Sequence, residues 1–271
     1  MSAVEDLSSD AHIVVKEQKK GVLRLWLNNP QRRNALSEEL LSRLKEEIEA
    51  AGASEEIRCI IIAARGPVFS SGHDLKQLQS HRRDKDGGRA YFTRMMAQCS
   101  QIMQLLVLTP KPVIAEVQGL ASAAGLQLVA SCDLAIAAKS AAFCTPGVNI
   151  GLFCSTPMVA LSRAVKTRHA AEMLLTGEVY SAEEAFRFGL VNRVVADHKL
   201  SQATEELAFK LAAKSRQVLA LGKAALAAQQ RLSLDHAYAH CSKVMVENLM
   251  MTDADEGIGA FLEKRRPRWP D

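Results

Sequence analysis

Aromatic residues are scarce in this chain, where two Trp, three Tyr and eight Phe make up 5% of the 271 residues. Proteins that bind single-stranded nucleic acid stack bases on aromatic rings and line the groove with positive charge. Here 34 basic and 30 acidic residues leave a net charge of +4, and acids interrupt the basic stretch HRRDKDGGR. The composition argues against nucleic acid as a ligand. RNA binding remains an alternative function, from a different functional class.

The chain also lacks a C-x-x-C pair, a P-loop, a dinucleotide-binding glycine pattern and any apolar run of membrane-spanning length. Six cysteines without disulfide-scaffold spacing indicate reduced, mostly buried thiols in a reducing compartment. The opening MSAVEDLSSDAH has neither the apolar stretch of a signal peptide nor the arginine-rich composition of a transit peptide. We expect no metal, no cofactor and no membrane span.

Apolar strand-like runs alternate with amphipathic helical patterns in the first two thirds of the chain. The runs HIVVKEQ, VLRLWLNN, RCIIIAA, PVIAEV and CDLAIAA predict strands. SEELLSRLKEEIEAA predicts a helix capped by Ser37, and YFTRMMAQCSQIMQLLVL predicts a longer one. Helical patterns dominate from about Ser181 onward. The sequence therefore predicts a flexible N-terminus over 1–11, an α/β core over 12–197 and a helical C-terminal region over 198–271.

Two segments share one order of elements, in which a strand is followed by a glycine-bearing loop and then a helix. They are CIIIAARGPVFSSGHDLKQL and VIAEVQGLASAAGLQL. Each places free main-chain N–H groups at a helix N-terminus, where negative charge is favoured. If the two segments converge, they form a hole for an oxyanion. The same small residues also suit tight helix packing alone, and spacing does not separate these two interpretations.

Five blocks of sequence, in this order, resemble the enoyl-CoA hydratase/isomerase (crotonase) superfamily. They are NNPQRRNALS at 28–37, GPVFSSGHDLKQL at 66–78, KPVIAEVQGLASAAGLQLVASCDLAIA at 111–137, LLTGEVYSAEEAFRFGLVNRVV at 174–195 and EGIGAFLEKRRPRW at 256–269. The resemblance implies a core of repeated ββα units and a helical C-terminal region that forms trimers or a dimer of trimers. It also implies an acyl-CoA thioester as the ligand.

The resemblance assigns roles to individual positions. It implies that the backbone amides of His73 and Ala124 hold the thioester carbonyl oxygen. Further contacts to the substrate are implied at Ser71, Gly72, Asp74 and Gly125. Candidates for the phosphates of coenzyme A are Arg33, Lys264 and Arg265, although a basic tail is also typical of a solvated chain end.

Two departures from the family pattern bear on the mechanism. Hydratases of this family use two glutamates to handle water and the Cα proton, and Gln127 and Gly147 stand at those positions here. Because an amide and a glycine accept no proton, we expect ordinary enoyl-CoA hydration to be absent or very slow.

Three functions remain open, so the assignment as an enzyme is left undecided. The first is acyl-CoA binding without hydration, in a regulatory protein or a non-catalytic subunit. The second is decarboxylation of a carboxyacyl-CoA, which needs a stabilised enolate and no base. The third is isomerisation or thioester hydrolysis with a displaced base, for which Asp74, Glu116, Asp133 and His73 are available.

Each of the carboxylates also has a structural interpretation as a helix cap or a paired group. The resemblance further implies fatty-acid metabolism in the mitochondrial matrix, with a transit peptide removed ahead of residue 1. The cytoplasm is the alternative, because reduced thiols suit both compartments.

Overall fold

The computed structural model describes residues 12–270, so the predicted flexible segment 1–11 lies outside the described residues. Ten strands are present in this part of the chain. They are β1 Val14–Lys19, β2 Val22–Leu27, β3 Cys59–Ala64, β4 Val68–Ser70, β5 Val113–Val117, β6 Leu120–Ser122, β7 Leu134–Ala138, β8 Ala142–Cys144, β9 Val179–Ser181 and β10 Arg193–Val195. They form a six-stranded sheet in the order β1-β2-β3-β5-β7-β10 and a four-stranded sheet in the order β4-β6-β8-β9.

The described chain also contains eleven α-helices and three short 3₁₀ helices. The α-helices are α1 Glu38–Ala53, α2 Leu75–His81, α3 Arg89–Leu108, α4 Ala124–Ser131, α5 Ser155–Ala164, α6 Thr167–Thr176, α7 Ala182–Phe188, α8 Leu200–Ala212, α9 Arg216–Gln229, α10 Leu234–Leu249 and α11 Thr252–Leu262. The 3₁₀ helices are Pro30–Arg32, Pro146–Ile150 and Asp197–Lys199. Within residues 12–270, none of these helices has the length and apolar character needed to cross a bilayer.

From β3 to β8, strands of the two sheets alternate along the chain. The runs β3-β4-α2 and β5-β6-α4 each place one strand in the larger sheet, the next in the smaller sheet, and then a helix. Pairing is parallel between β4 and β6 and between β6 and β8, so equivalent ends of these strands lie side by side. The predicted α/β fold with ββα units is confirmed.

Parallel strands buried on both faces account for the continuous apolar run of β3. Ile60 and Ile62 belong to the main core between the sheets, whereas Cys59, Ile61 and Ala63 pack in a second cluster with side chains of α8. Both faces of the strand are covered, as is usual for parallel sheets. Each fully buried isoleucine contributes roughly 1.5–3 kcal/mol relative to exposure.

Lys223 of helix α9 binds to three groups of the core. The Lys223 Nζ donates hydrogen bonds to the carbonyl oxygens of Leu106 (2.8 Å) and Lys111 (2.9 Å) and to the Asp133 carboxylate (2.6 Å). Helices α10 and α11 lie farther out and expose many apolar side chains. Those more than half exposed, counting Met250 at the end of α10, are Leu234, Tyr238, Met245, Val246, Leu249, Met250, Ile258, Phe261 and Leu262. The boundary between 197 and 198 stays a prediction.

Candidate functional site

The predicted oxyanion segments meet because β4 and β6 are parallel neighbours. Gly72 has φ +87°, and a Cβ atom there would lie 3.3 Å from the Ala124 nitrogen and 3.0 Å from the Ser122 oxygen. A Cβ on Gly125 would lie 2.5 Å from the Ser70 carbonyl oxygen. The two glycines therefore permit a backbone-to-backbone contact that side chains would prevent. This contact brings the two predicted donor segments together.

The two predicted donor amides are unused within residues 12–270. Neither the His73 nor the Ala124 N–H donates to any backbone or side-chain acceptor there. Ala124 is the first residue of α4 and so has no acceptor within its helix. Residue 73 is held by a parallel bridge to Leu36, whose N–H donates to the Gly72 oxygen at 2.8 Å. Two fixed donors without acceptors are the arrangement that an oxyanion hole needs.

Ala123 has a strained backbone that sequence reasoning missed. Its φ of 50° and ψ of −115° lie in a region that L-residues rarely occupy. The Ala123 N–H donates to the Cys144 oxygen at 2.9 Å, which holds the residue against β8. The positive φ therefore occurs one residue before the donor Ala124. This conformation sets the direction of the Ala124 N–H.

Asn34 is a second positioning residue that sequence reasoning missed. It is fully buried with φ 49°, and its Nδ2 donates to the carbonyl oxygens of Arg65 (2.9 Å) and Val68 (2.7 Å). The Ser70 hydroxyl donates to the Asn34 oxygen at 2.8 Å. These bonds fix the segment that leads to His73. The asparagine in QRRNALS was the available signal, because asparagine tolerates the left-handed conformation.

Gln127 lies one turn into α4 and is 3% exposed. The Cys99 Sγ lies 4.0 Å from its Oε1 atom, and its main-chain oxygen accepts a hydrogen bond from the Ser131 hydroxyl. Burial raises the pKa of Cys99 to about 12, so this thiol stays protonated at neutral pH. Neither Gln127 nor Cys99 therefore provides a group that takes up a proton readily.

Gly147 occupies a crowded position in the 3₁₀ helix Pro146–Ile150. A Cβ atom built there would lie 3.0 Å from the Cys154 Sγ and 3.1 Å from the Leu152 oxygen. Burial raises the pKa of Cys154, and the same cause raises that of Cys144. A thiol with a raised pKa is a poor nucleophile, so neither cysteine replaces the carboxylate as a reactive group.

Asp74 acts as the N-cap of α2. Its Oδ1 accepts hydrogen bonds from the N–H groups of Lys76 (2.9 Å) and Gln77 (3.2 Å), and its Oδ2 lies 3.4 Å from an Arg32 nitrogen. The structural interpretation of this carboxylate as a helix cap is therefore confirmed.

Glu116 and Asp133 also have structural partners. Glu116 pairs with Arg24 at 3.2 Å on the sheet face that α8 covers, and burial raises its pKa. Asp133 accepts the Val113 N–H at 2.7 Å and pairs with Lys223 at 2.6 Å, and burial raises its pKa as well. Both carboxylates are engaged in holding the fold.

The imidazole of His73 packs into the protein. Both ring nitrogens are buried and lack a hydrogen-bond partner within residues 12–270. Burial lowers the pKa of this imidazole and is the main cause of the shift. The ring nitrogens therefore do not face solvent, and the ring is neutral at physiological pH. The main-chain amide remains the part of His73 that is available to a ligand.

The three cationic candidates have different surroundings. The Arg33 oxygen accepts the Ser71 N–H at 3.0 Å, so the exposed Arg33 side chain begins beside the donor segment. Arg265 is paired with Glu256 through contacts of 2.7 and 2.8 Å and with Glu263. Lys264 is exposed, with φ 55°. Of the three, Arg33 is the one adjacent to the donors, whereas Arg265 must leave a carboxylate to bind phosphate.

No cluster of three metal-binding side chains occurs in the described part.

The chain is similar to known proteins over nearly its whole length. The model of a family described as enoyl-CoA hydratase/isomerase matches residues 17–271. A Rattus norvegicus protein named enoyl-CoA hydratase domain-containing protein 3, mitochondrial, is 49% identical over 261 residues, which are 96% of this chain and 85% of the relative.

Solved structures give the same result. The crystal structure of human enoyl Coenzyme A hydratase domain-containing protein 3 matches with a TM-score of 0.91 and 47% identity, over 95% of this chain and 100% of that chain. An enoyl-CoA hydratase from Mycobacterium smegmatis matches with a TM-score of 0.90 and 44% identity, over 95% and 99%. From the ββα arrangement and these matches, the chain belongs to the enoyl-CoA hydratase/isomerase family.

Proposed function

We propose that this protein binds an acyl-CoA thioester through the backbone amides of His73 and Ala124 and does not hydrate enoyl-CoA at an ordinary rate. The observation that carries the proposal is the pair of unused N–H groups on segments held together at Gly72 and Gly125. A thioester carbonyl gains negative charge when an enolate forms, and preorganised amides stabilise that charge. One such donor contributes about 3–4 kcal/mol in other enzymes.

The expected loss of hydration follows from Gln127 and Gly147. A general acid–base group contributes typically about 10²- to 10⁴-fold in rate, and neither side chain supplies one. Asp74, Glu116 and Asp133 are each engaged in caps or ion pairs, which argues against a displaced base at these positions. The protein retains both donor amides but lacks both catalytic carboxylates. Thioester binding without hydration accounts for this combination.

Decarboxylation of a malonyl-type thioester is the second candidate. The reaction breaks the bond between Cα and the carboxylate carbon, releases CO₂ and leaves the electron pair on the enolate, so no base is needed to start it. The uncharged Gln127 and Gly147 favour it, because glutamates there would repel the substrate carboxylate. Protonation of the enolate would then come from water.

Compartment and assembly complete the proposal. The relatives from Rattus norvegicus, Mus musculus and Homo sapiens are named mitochondrial, which supports a mitochondrial location. We further propose that the protein acts in the matrix, in fatty-acid metabolism. The exposed apolar side chains of α10 and α11 support self-association, which we propose to be a homotrimer or a dimer of trimers. We propose Arg33 as a phosphate contact, together with Lys264 and Arg265 if the tail releases Glu256.

Co-purification followed by turnover assays tests the proposal. The protein would be isolated rapidly, and bound thioesters would be identified by mass spectrometry before and after incubation. We expect acyl-CoA to co-purify unchanged, and crotonyl-CoA to bind without conversion to 3-hydroxybutyryl-CoA. Release of CO₂ from malonyl-type thioesters would favour the second candidate. Rapid hydration of crotonyl-CoA, or no binding of any thioester, would overturn the proposal.

A further inference from the structure

A cavity of about 930 Å³ includes Gln127 of the candidate site in its lining and extends away from the donor residues His73 and Ala124, which do not line it. Helices α3, α4, α5 and α9 all contribute to its walls, and Gln127 is among the lining residues. The lining of α4 continues beyond Gln127 through Ser131 into the next segment. Because α4 begins at the Ala124 donor and rises about 1.5 Å per residue, the cavity extends along the helix away from the carbonyl-binding end.

Three helices present uncovered apolar side chains to this cavity. Leu108 of α3 is 66% exposed, Val159 of α5 is 48% exposed and Leu226 of α9 is 60% exposed. Apolar side chains that converge from separate elements and remain open to solvent are typical of a binding site. All three line the same cavity as residues of α4.

The charged residues of the cavity are Asp133, Arg163, Lys223 and Arg231, so three cations face one anion. Lys223 is already occupied by Asp133 and two main-chain oxygens. Among residues 12–270, Arg163 donates to the Val159 oxygen of its own helix at 2.8 Å and to no other acceptor. Within residues 12–270, neither Arg163 nor Arg231 contacts a carboxylate. The cavity therefore has an excess of two positive charges, both on arginine.

We infer that the cavity binds acyl chains that end in a carboxylate, so that the ligands are thioesters of medium-length dicarboxylic acids. The inference rests on the proposed function, because the carbonyl end must be held at Ala124. The apolar side chains contact the methylene groups, and Arg163 and Arg231 receive the terminal carboxylate, which guanidinium groups bind with paired hydrogen bonds. This carboxylate is at the far end of the chain, unlike that of a malonyl thioester.

Matched thioesters test the inference with the full chain. Affinities for suberyl-CoA and octanoyl-CoA, and for adipyl-CoA and hexanoyl-CoA, would be measured by calorimetric titration. We expect each dicarboxylic thioester to bind about three- to tenfold more tightly than its partner, a modest factor because exposed ion pairs contribute little. Arg163→Met combined with Arg231→Met should remove the difference and leave octanoyl-CoA affinity unchanged. Arg168→Met, an exposed α6 arginine outside the cavity, should retain it.

The possible results separate the inference from the proposed function. Equal affinities within each pair, or a preference that survives the double substitution, would overturn the inference while thioester binding itself stands. If neither thioester binds, the proposed function fails and the inference fails with it. A change in assembly size of the double variant in sedimentation, with unchanged thioester affinities, would assign the cavity to a second copy of the chain and overturn the inference.

Discussion

The Cys154 Sγ lies 3.0 Å from the point where a Cβ atom on Gly147 would stand. Restoring both glutamates by Gln127→Glu and Gly147→Glu therefore forces the second side chain against a thiol. We expect the double variant to gain little crotonyl-CoA hydration. Adding Cys154→Ala should raise the rate by about 10²-fold or more over the double variant, because an acid–base group then reaches its place. Product formation is followed by mass spectrometry.

Cys154→Ala alone is the control for this series. It removes the same thiol without supplying a carboxylate, so no hydration is expected from it. A triple variant that folds and binds crotonyl-CoA yet stays inactive would show that the two positions do not lie over the substrate, contrary to the assignment of Gln127 and Gly147.

Ala123→Gly should stabilise the protein. Backbone strain at an L-residue in this region destabilises the folded state by on the order of 1–3 kcal/mol, which glycine would relieve. Glycine also has more freedom in the unfolded chain, which lowers the free energy of unfolding by roughly 0.5–1 kcal/mol. We expect a net gain of about 1 kcal/mol in the free energy of unfolding, measured with urea. Ala121→Gly, at a buried site in β6 with ordinary backbone, should instead destabilise. Equal losses at both positions would contradict the strain at Ala123.

Glu116→Ala should destabilise the fold without affecting thioester affinity. Removing Glu116 leaves buried Arg24 with Glu17, an exposed carboxylate 3.7 Å away, so the cost should lie near the lower end of the range of about 3–5 kcal/mol for broken buried pairs. Replacing both by Arg24→Met and Glu116→Leu should recover most of that loss. Urea unfolding and thioester titration check the two parts. Lower thioester affinity in the folded double variant would return Glu116 to the list of candidate bases.

His73 should make the protein sensitive to acid. Burial places the pKa of His73 in the folded state below the ordinary value of 6.5. Just below pH 6.5 this histidine is therefore protonated in the unfolded chain but not in the folded chain. Stability is therefore lost as the pH falls from 6.5 towards the lowered pKa. His73→Gln should lose less stability over this range, as measured by urea midpoints at a series of pH values.

His236→Gln is the matched control, because His236 is exposed on α10. It should follow the pH dependence of the parent protein. Identical curves for the parent and His73→Gln would show that the imidazole is not held in its uncharged form by the fold.

Local signals predicted much of the fold. The Ser37 hydroxyl accepts the Leu40 N–H at 3.2 Å, as the cap position in SEELLSRL indicated. Asp74 likewise caps α2. Caps and amphipathic periods depend on residues three or four apart, which a single sequence displays directly.

Long-range relations were not predictable in the same way. Arg24 and Glu116 are separated by 92 positions, and nothing local joins them. The ion pair between Asp133 and Lys223, which are 90 positions apart, likewise depends on how the backbone folds back on itself. For the candidate site, the sequence predicted the two donor segments, while the strain at Ala123 and the surroundings of each carboxylate required the tertiary structure.

Lys223 joins α9 to the end of α3, to the loop that follows α3 and to the segment after α4. The walls contributed by α3, α4, α5 and α9 thus belong to one polypeptide, and Lys223 keeps α9 in place among them. Ligand saturation should then count one molecule per chain and follow a simple hyperbola that is independent of protein concentration.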